Sequence, residues 1–221
     1  MPKIAVCLSG CGVYDGSEIH EAAFTLLALD QARAEILCCA PNVPQAAVVN
    51  HLTREPMPHE VRNVLVESAR IARGQILDIA GLRATAIHGL IFPGGFGAAK
   101  NLCDFADRGL ACTVHPEVQR LACECLDAGK PIGAICIAPA LLARILGQRS
   151  LRGRLTIGSD PATAEAISKM GAEHVACSAS GIVVDEKYRL VTTPAYMLGK
   201  GPAEVYDGIR RLVGEVLRMA R

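Results

Sequence analysis

The chain has 221 residues, 51% of them hydrophobic, which is enough to bury the core of one large α/β domain or two small ones. A formal charge of +1, with both signs mixed along the chain, gives no electrostatic reason to expect nucleic acid or an anionic membrane, and no apolar run approaches the roughly 20 residues of a bilayer span. The first residues carry no secretory signal, so ten cysteines argue for reduced thiols in a cytoplasmic protein rather than a disulfide framework, with a small molecule or another protein as partner.

Strand-like and helix-like segments alternate. Residues 3–9 (KIAVCLS) form a strand candidate. A Gly-rich loop and a helix over 17–32 follow, the helix carrying apolar positions Ile19, Ala22, Ala23, Leu26 and Leu27. Residues 35–40 (EILCCA) make the next strand, 41–60 a polar, proline-bearing loop, and 61–80 a helix. A strand over 88–92 ends in PGGFGAAK. Pro116 then opens a helix over 116–128, and 131–136 is a strand that runs into a helix over 139–146. Beyond it, short apolar segments at 155–158, 173–178, 182–185 and 189–193 alternate with a helix over 161–170. A hairpin turns through 185–188, and a closing helix spans 202–219. The alternation predicts a mostly parallel sheet covered on both faces, in one domain without repeats or linkers.

Ligands of open α/β sheets bind at the carboxyl ends of strands, and Cys136 in GAICIAPALL lies at such an end. A sharp strand-to-helix turn needs small residues two positions either side of its nucleophile, here Ala134 and Ala138. Pro139 opens the following helix, whose free N–H groups and positive end would stabilise a thiolate. The same position also suits a small apolar packing residue. Cys7, Cys38, Cys39, Cys123 and Cys125 fall in strands or on a helix and read as core. No C-x-x-C pair occurs, so neither a zinc site nor a dithiol is expected.

The loop SGCGVYDGSEIHE (9–21) spaces its glycines as G-x-G-x-x-x-G, and Glu18 would set a negative charge where a pyrophosphate should dock, against dinucleotide binding. Glu18, at the start of the first helix, is placed to meet the Cys136 thiol; equally, Asp15 and Glu18 could form a capping box. In FPGGFGAAKNL (92–102), Gly94 and Gly95 let backbone N–H groups face a ligand and, with the Ile137 amide, build an oxyanion hole, or they simply make a tight turn.

Together, SGCGVYDGSEIHEA, FPGGFGAAKNL, GKPIGAICIAPALL, GAEHV and VTTPAYML resemble the isoprenoid-biosynthesis-associated branch of the PfpI-like, class I glutamine amidotransferase-like superfamily, over essentially the whole chain. The resemblance implies a flavodoxin-like three-layer sandwich, with Cys136 as elbow nucleophile, Glu18 as its carboxylate partner and Gly95 and Ile137 as oxyanion donors. It also implies cofactor-independent, glutathione-independent glyoxalase activity on a small dicarbonyl such as glyoxal or methylglyoxal, and frequent dimers. Glutaminase members carry H-x-E well after the cysteine. Here the only later histidine is His174, in GAEHV, and His115-Pro116-Glu117 precedes Cys136. His174 is a weaker candidate for a second proton carrier, and it could equally be a structural residue. A redox-sensing protein oxidised at the same cysteine, or a subunit docking on a partner enzyme, are the rival readings.

Overall fold

The computed structural model describes residues 1–220. A continuous apolar run builds its first strand, β1 (Lys3–Cys7), which runs through a loop into helix α1 (Ile19–Gln31) and then β2 (Glu35–Ala40). Helix α2 (Val64–Ile71) and strand β3 (Ile76–Asp78) follow, then β4 (Gly89–Phe92) and the short helices α3 (Phe96–Lys100) and α4 (Phe105–Arg108). Helix α5 (Pro116–Asp127), β5 (Ile132–Ile135) and α6 (Pro139–Gln148) complete the central unit. The last third holds β6 (Arg154–Leu155), α7 (Pro161–Lys169), β7 (Glu173–His174), the hairpin β8 (Val183–Asp185) and β9 (Leu190–Thr193), and α8 (Pro202–Met219).

Seven strands form one sheet in the order β3-β2-β1-β4-β5-β9-β8, parallel throughout except for β8 against β9. Strand pleating sends alternate residues to opposite faces. Ala5 and Cys7 join a core with Val118 and Leu121 of α5 and Leu141 of α6, while Ile4 and Val6 join one with Leu29 of α1 and Ile209 and Leu212 of α8. The α/β three-layer, mostly parallel architecture is the one the alternation predicts. Chain order reverses direction between β1 and β4, so the loops after β1, β4 and β5 converge on one crevice.

Two expectations fail here. The helix over 61–80 stops at Ile71, because Arg73 (φ 52°) and Gly74 (φ 81°) turn the backbone left-handed and the Gly74 N–H caps Ala69 O at 2.8 Å. The freed segment supplies β3, a three-residue edge too short for its period to show. The segment at 155–158 does not join the main sheet: β6 pairs only with β7, as a separate two-stranded parallel sheet. No described helix is long and apolar enough to cross a membrane.

Candidate active site

The elbow is a backbone feature before it is a chemical one. Cys136 follows β5 with φ at 63°, a left-handed conformation that residues with a side chain seldom adopt and that costs on the order of 1 kcal/mol or more. Its N–H donates to Thr193 O of β9 at 2.9 Å, and the Ala138 N–H closes the turn on Ile135 O at 3.0 Å, so α6 starts at Pro139 with the thiol held over the sheet edge. Ala134 and Ala138 are buried as the elbow requires. The backbone N–H groups of Gly95 and Ile137 act on the Cys136 thiol to lower its proton affinity. Gly94 leaves room for that sulfur's carbon: a Cβ on Gly94 would sit 2.3 Å from Cys136 Cβ and 2.5 Å from Glu21 Oε2.

That contact moves the carboxylate. The expected partner was Glu18; the structure sets Glu21 against the thiol instead. Glu18 is the N-cap of α1, where its Oε2 accepts the Glu21 N–H at 2.7 Å, so its side chain turns back along the helix. Asp15 does not cap α1 either, since its Oδ2 accepts the Val49 N–H at 2.8 Å. Glu21, one turn on, is completely buried, and its carboxyl faces the Cys136 thiol and the Gly94 N–H. Its Oε1 accepts the Tyr196 N–H at 3.2 Å, while Oε2 has no partner in good hydrogen-bond geometry. Tyr196 is delivered by a second strained turn, with Ala195 at φ 44°.

Burial and the neighbouring Glu18 charge push the Glu21 carboxyl up to about 8. Burial, and then the Glu21 charge, hold the Cys136 thiol well above its ordinary value, against the lowering effect of the Gly95 and Ile137 amides. The helix end is expected to stabilise a thiolate; the Gly95 and Ile137 amides act in that direction, and desolvation beside the buried acid acts against it. Thiol and carboxyl form one coupled unit, and a negative charge on either raises the proton affinity of the other.

A pocket of about 340 Å³ opens above Cys136, lined also by Glu18, Gly95, Phe105, Ile137 and Tyr196. Cys136, Gly95, Ile137 and Glu18 thus meet as expected, with Gly94 just beneath. His174 does not. It lies in β7, with Nε2 3.5 Å from the Ile157 N–H, and burial lowers its pKa; it stays outside the pocket lining. His115 instead caps α5, accepting the Glu117 N–H at 3.3 Å. Among the described residues no histidine lines the pocket, although His20 Nδ1 lies 2.7 Å from the Tyr196 hydroxyl and so reaches the rim through it. Glu21 and Tyr196 are the residues that sequence reasoning missed. Glu21 was findable, because it lies on the inward stripe with Ala22, Thr25, Ala28 and Leu29, where an acid is out of place.

Sheet order, elbow cysteine and buried glutamate define an α/β three-layer protein with a candidate cysteine nucleophile at a strand-to-helix elbow. The chain is 47% identical over 227 residues to a human protein, "Glutamine amidotransferase-like class 1 domain-containing protein 3, mitochondrial", covering 98% of this chain and 83% of that one. It is 45% identical to the "ES1 protein homolog, mitochondrial" of Rattus norvegicus, over 98% and 84%. The chain belongs to this glutamine amidotransferase-like, ES1 family. No family model matches it. Among solved structures, an isoprenoid biosynthesis protein with an amidotransferase-like domain from Ehrlichia chaffeensis superposes with a TM-score of 0.93 at 39% identity, over all of both chains. Glyoxalase III from Candida albicans shares the fold alone, with a TM-score of 0.63 at 14% identity over 99% and 97%. The expected cytoplasmic location is corrected by the mitochondrial names of the human and rat relatives. Unpaired thiols suit a mitochondrial protein equally well, so they do not distinguish the two compartments.

Proposed function

We propose that the chain is a cofactor-independent glyoxalase in which Cys136 and Glu21 convert a small dicarbonyl to a hydroxy acid. The observation that carries this reading is the buried Cys136–Glu21 pair, with Cys136 lining the pocket and the Glu21 carboxyl packed against the thiol behind it. A carboxyl pushed up to about 8 is matched to proton transfer near neutral pH. As Cys136 sulfur bonds to the aldehyde carbon, Glu21 takes the thiol proton, and the new alkoxide lies where the Gly95 and Ile137 amides converge. Glu21 returns that proton to the alkoxide, giving the neutral hemithioacetal, and, ionised again, moves the aldehyde hydrogen, as a proton, to the neighbouring carbonyl carbon through an enediol. The carbon bonded to sulfur is oxidised and its neighbour reduced, so no outside oxidant enters. Water cleaves the resulting thioester and returns the thiol. The absence of any histidine from the pocket lining tells against a Cys-His-Glu glutaminase. The mitochondrial names of its relatives support a mitochondrial setting.

The test is steady-state turnover of glyoxal and methylglyoxal by the purified chain beside Cys136→Ala and Glu21→Gln. Production of hydroxy acid that Cys136→Ala abolishes and Glu21→Gln lowers by on the order of a hundredfold or more supports the reading. Peroxide-driven mass gain at Cys136 without turnover would replace it with redox sensing.

A further inference from the structure

The pocket above the pair is larger and more apolar than the smallest dicarbonyls need. Its volume of about 340 Å³ falls in the range, roughly 300–1,000 Å³, that holds substantial small-molecule ligands, whereas methylglyoxal has only a handful of non-hydrogen atoms. Val13, Phe96, Phe105, Ala106, Ile137 and Met197 supply apolar wall. Glu18, Thr163 and Tyr196 contribute the polar side chains, and among the described residues no lysine or arginine belongs to the lining. The cation beside this wall, Lys100, stacks 5.6 Å from the Phe96 ring centroid and reaches Tyr14 O at 3.4 Å. An anionic substituent on a substrate would therefore lose its water without gaining a counter-charge, and would meet Glu18 as well.

Resting on the glyoxalase reading above, we infer that the pocket selects an uncharged α-oxoaldehyde with an aryl or branched-alkyl substituent, and disfavours carboxylated or phosphorylated ones. The reacting carbonyls lie at Cys136 and Glu21, and the substituent packs against Phe105 and Met197. An apolar pocket discriminates by about tenfold or more for even one methylene. Phenylglyoxal should accordingly exceed methylglyoxal by at least about tenfold in kcat/KM, and 4-carboxyphenylglyoxal should fall at least about tenfold below phenylglyoxal. Phe105→Ala should shrink the phenyl-to-methyl ratio, and Glu18→Gln should narrow the carboxyphenyl deficit.

These kcat/KM values are measured on the full chain. Equal values for phenylglyoxal and methylglyoxal, or a lead for the carboxylated compound, overturn the selectivity and leave the glyoxalase reading standing. If no dicarbonyl turns over, that reading fails, and the selectivity is judged on Cys136 alkylation by peptide mapping. N-phenylmaleimide should then outrun N-(4-carboxyphenyl)maleimide by at least about tenfold more than it does on free cysteine. A ratio equal to that on free cysteine rejects the inference.

Discussion

At the scale of single residues the site turns on one proton. Glu21→Gln keeps the shape that receives the Tyr196 N–H but cannot exchange protons, so it should lower kcat/KM on dicarbonyls by on the order of a hundredfold or more. Glu18→Gln leaves the buried acid in place and should cost far less, about the fraction of a kcal/mol to 1 kcal/mol of a weakened cap. If the two losses of activity are equal, Glu21 is not the acid–base group. Removing the Glu21 charge also removes a cause that raises the Cys136 thiol, so the onset of Cys136 labelling by iodoacetamide should move to lower pH in Glu21→Gln. Stability carries the opposite signature. A carboxyl near 8 when folded, against an ordinary value of 4.5, binds more protons in the native state between those limits. The stability it contributes is thus present at low pH and lost as pH rises towards 8. Glu21→Gln should flatten that decline and lie above wild type at alkaline pH by at least about 2–4 °C in Tm, the shift one kcal/mol produces in a chain of this size. Cys136 was legible in the sequence because small neighbours and a following proline announce an elbow. Its acid partner was misread by one helical turn, since both glutamates lie near the start of α1 and only packing decides which one reaches the thiol.

Elements meet at this site backbone to backbone. The loop after β1 and the loop after β4 are joined by Glu18 N–H to Gly94 O at 2.9 Å and Gly97 N–H to Gly16 O at 2.9 Å. At Gly95 (φ 91°) a Cβ would fall 2.3 Å from Glu18 N. Gly94→Ala would thrust its methyl into Cys136 Cβ and to 2.9 Å from Ile135 O, neither of which can yield without moving the elbow. It should destabilise by about 1–3 kcal/mol, as overpacking does, and remove activity together with stability. Gly81→Ala, whose Cβ meets nothing within 4 Å, is the control and should leave the chemical denaturation midpoint nearly unchanged. If both variants unfold at the same denaturant concentration, the close approach at Gly94 does not hold the site. The main strands were readable from the sequence because buried parallel strands are short apolar runs bounded by glycine and proline. β3 and the β6–β7 pair were not, for two- and three-residue strands owe their existence to a neighbour's hydrogen bonds rather than to their own pattern.

For the whole molecule, the two apolar cores share one sheet, and that sharing predicts how the chain unfolds. β1 contributes Ile4 and Val6 to one face and Ala5 and Cys7 to the other, and β5 likewise divides Ile135 from Ile132 and Ala134. Loss of the helices on one face would expose strand residues and loosen the ladder that supports the opposite face. We therefore propose that the chain is one cooperative unit and unfolds in a single transition, with circular dichroism and tyrosine fluorescence giving coincident curves. Leu121→Ala on α5 and Leu212→Ala on α8 empty fully buried sites on opposite faces. Each should cost about 2–5 kcal/mol and lower that same transition. Because no packing is shared between them, the double variant should sum the two losses to within about 0.5 kcal/mol. Two resolved transitions, one moved by Leu121→Ala and the other by Leu212→Ala, would show that the faces unfold independently and that the sheet does not bind them into one domain.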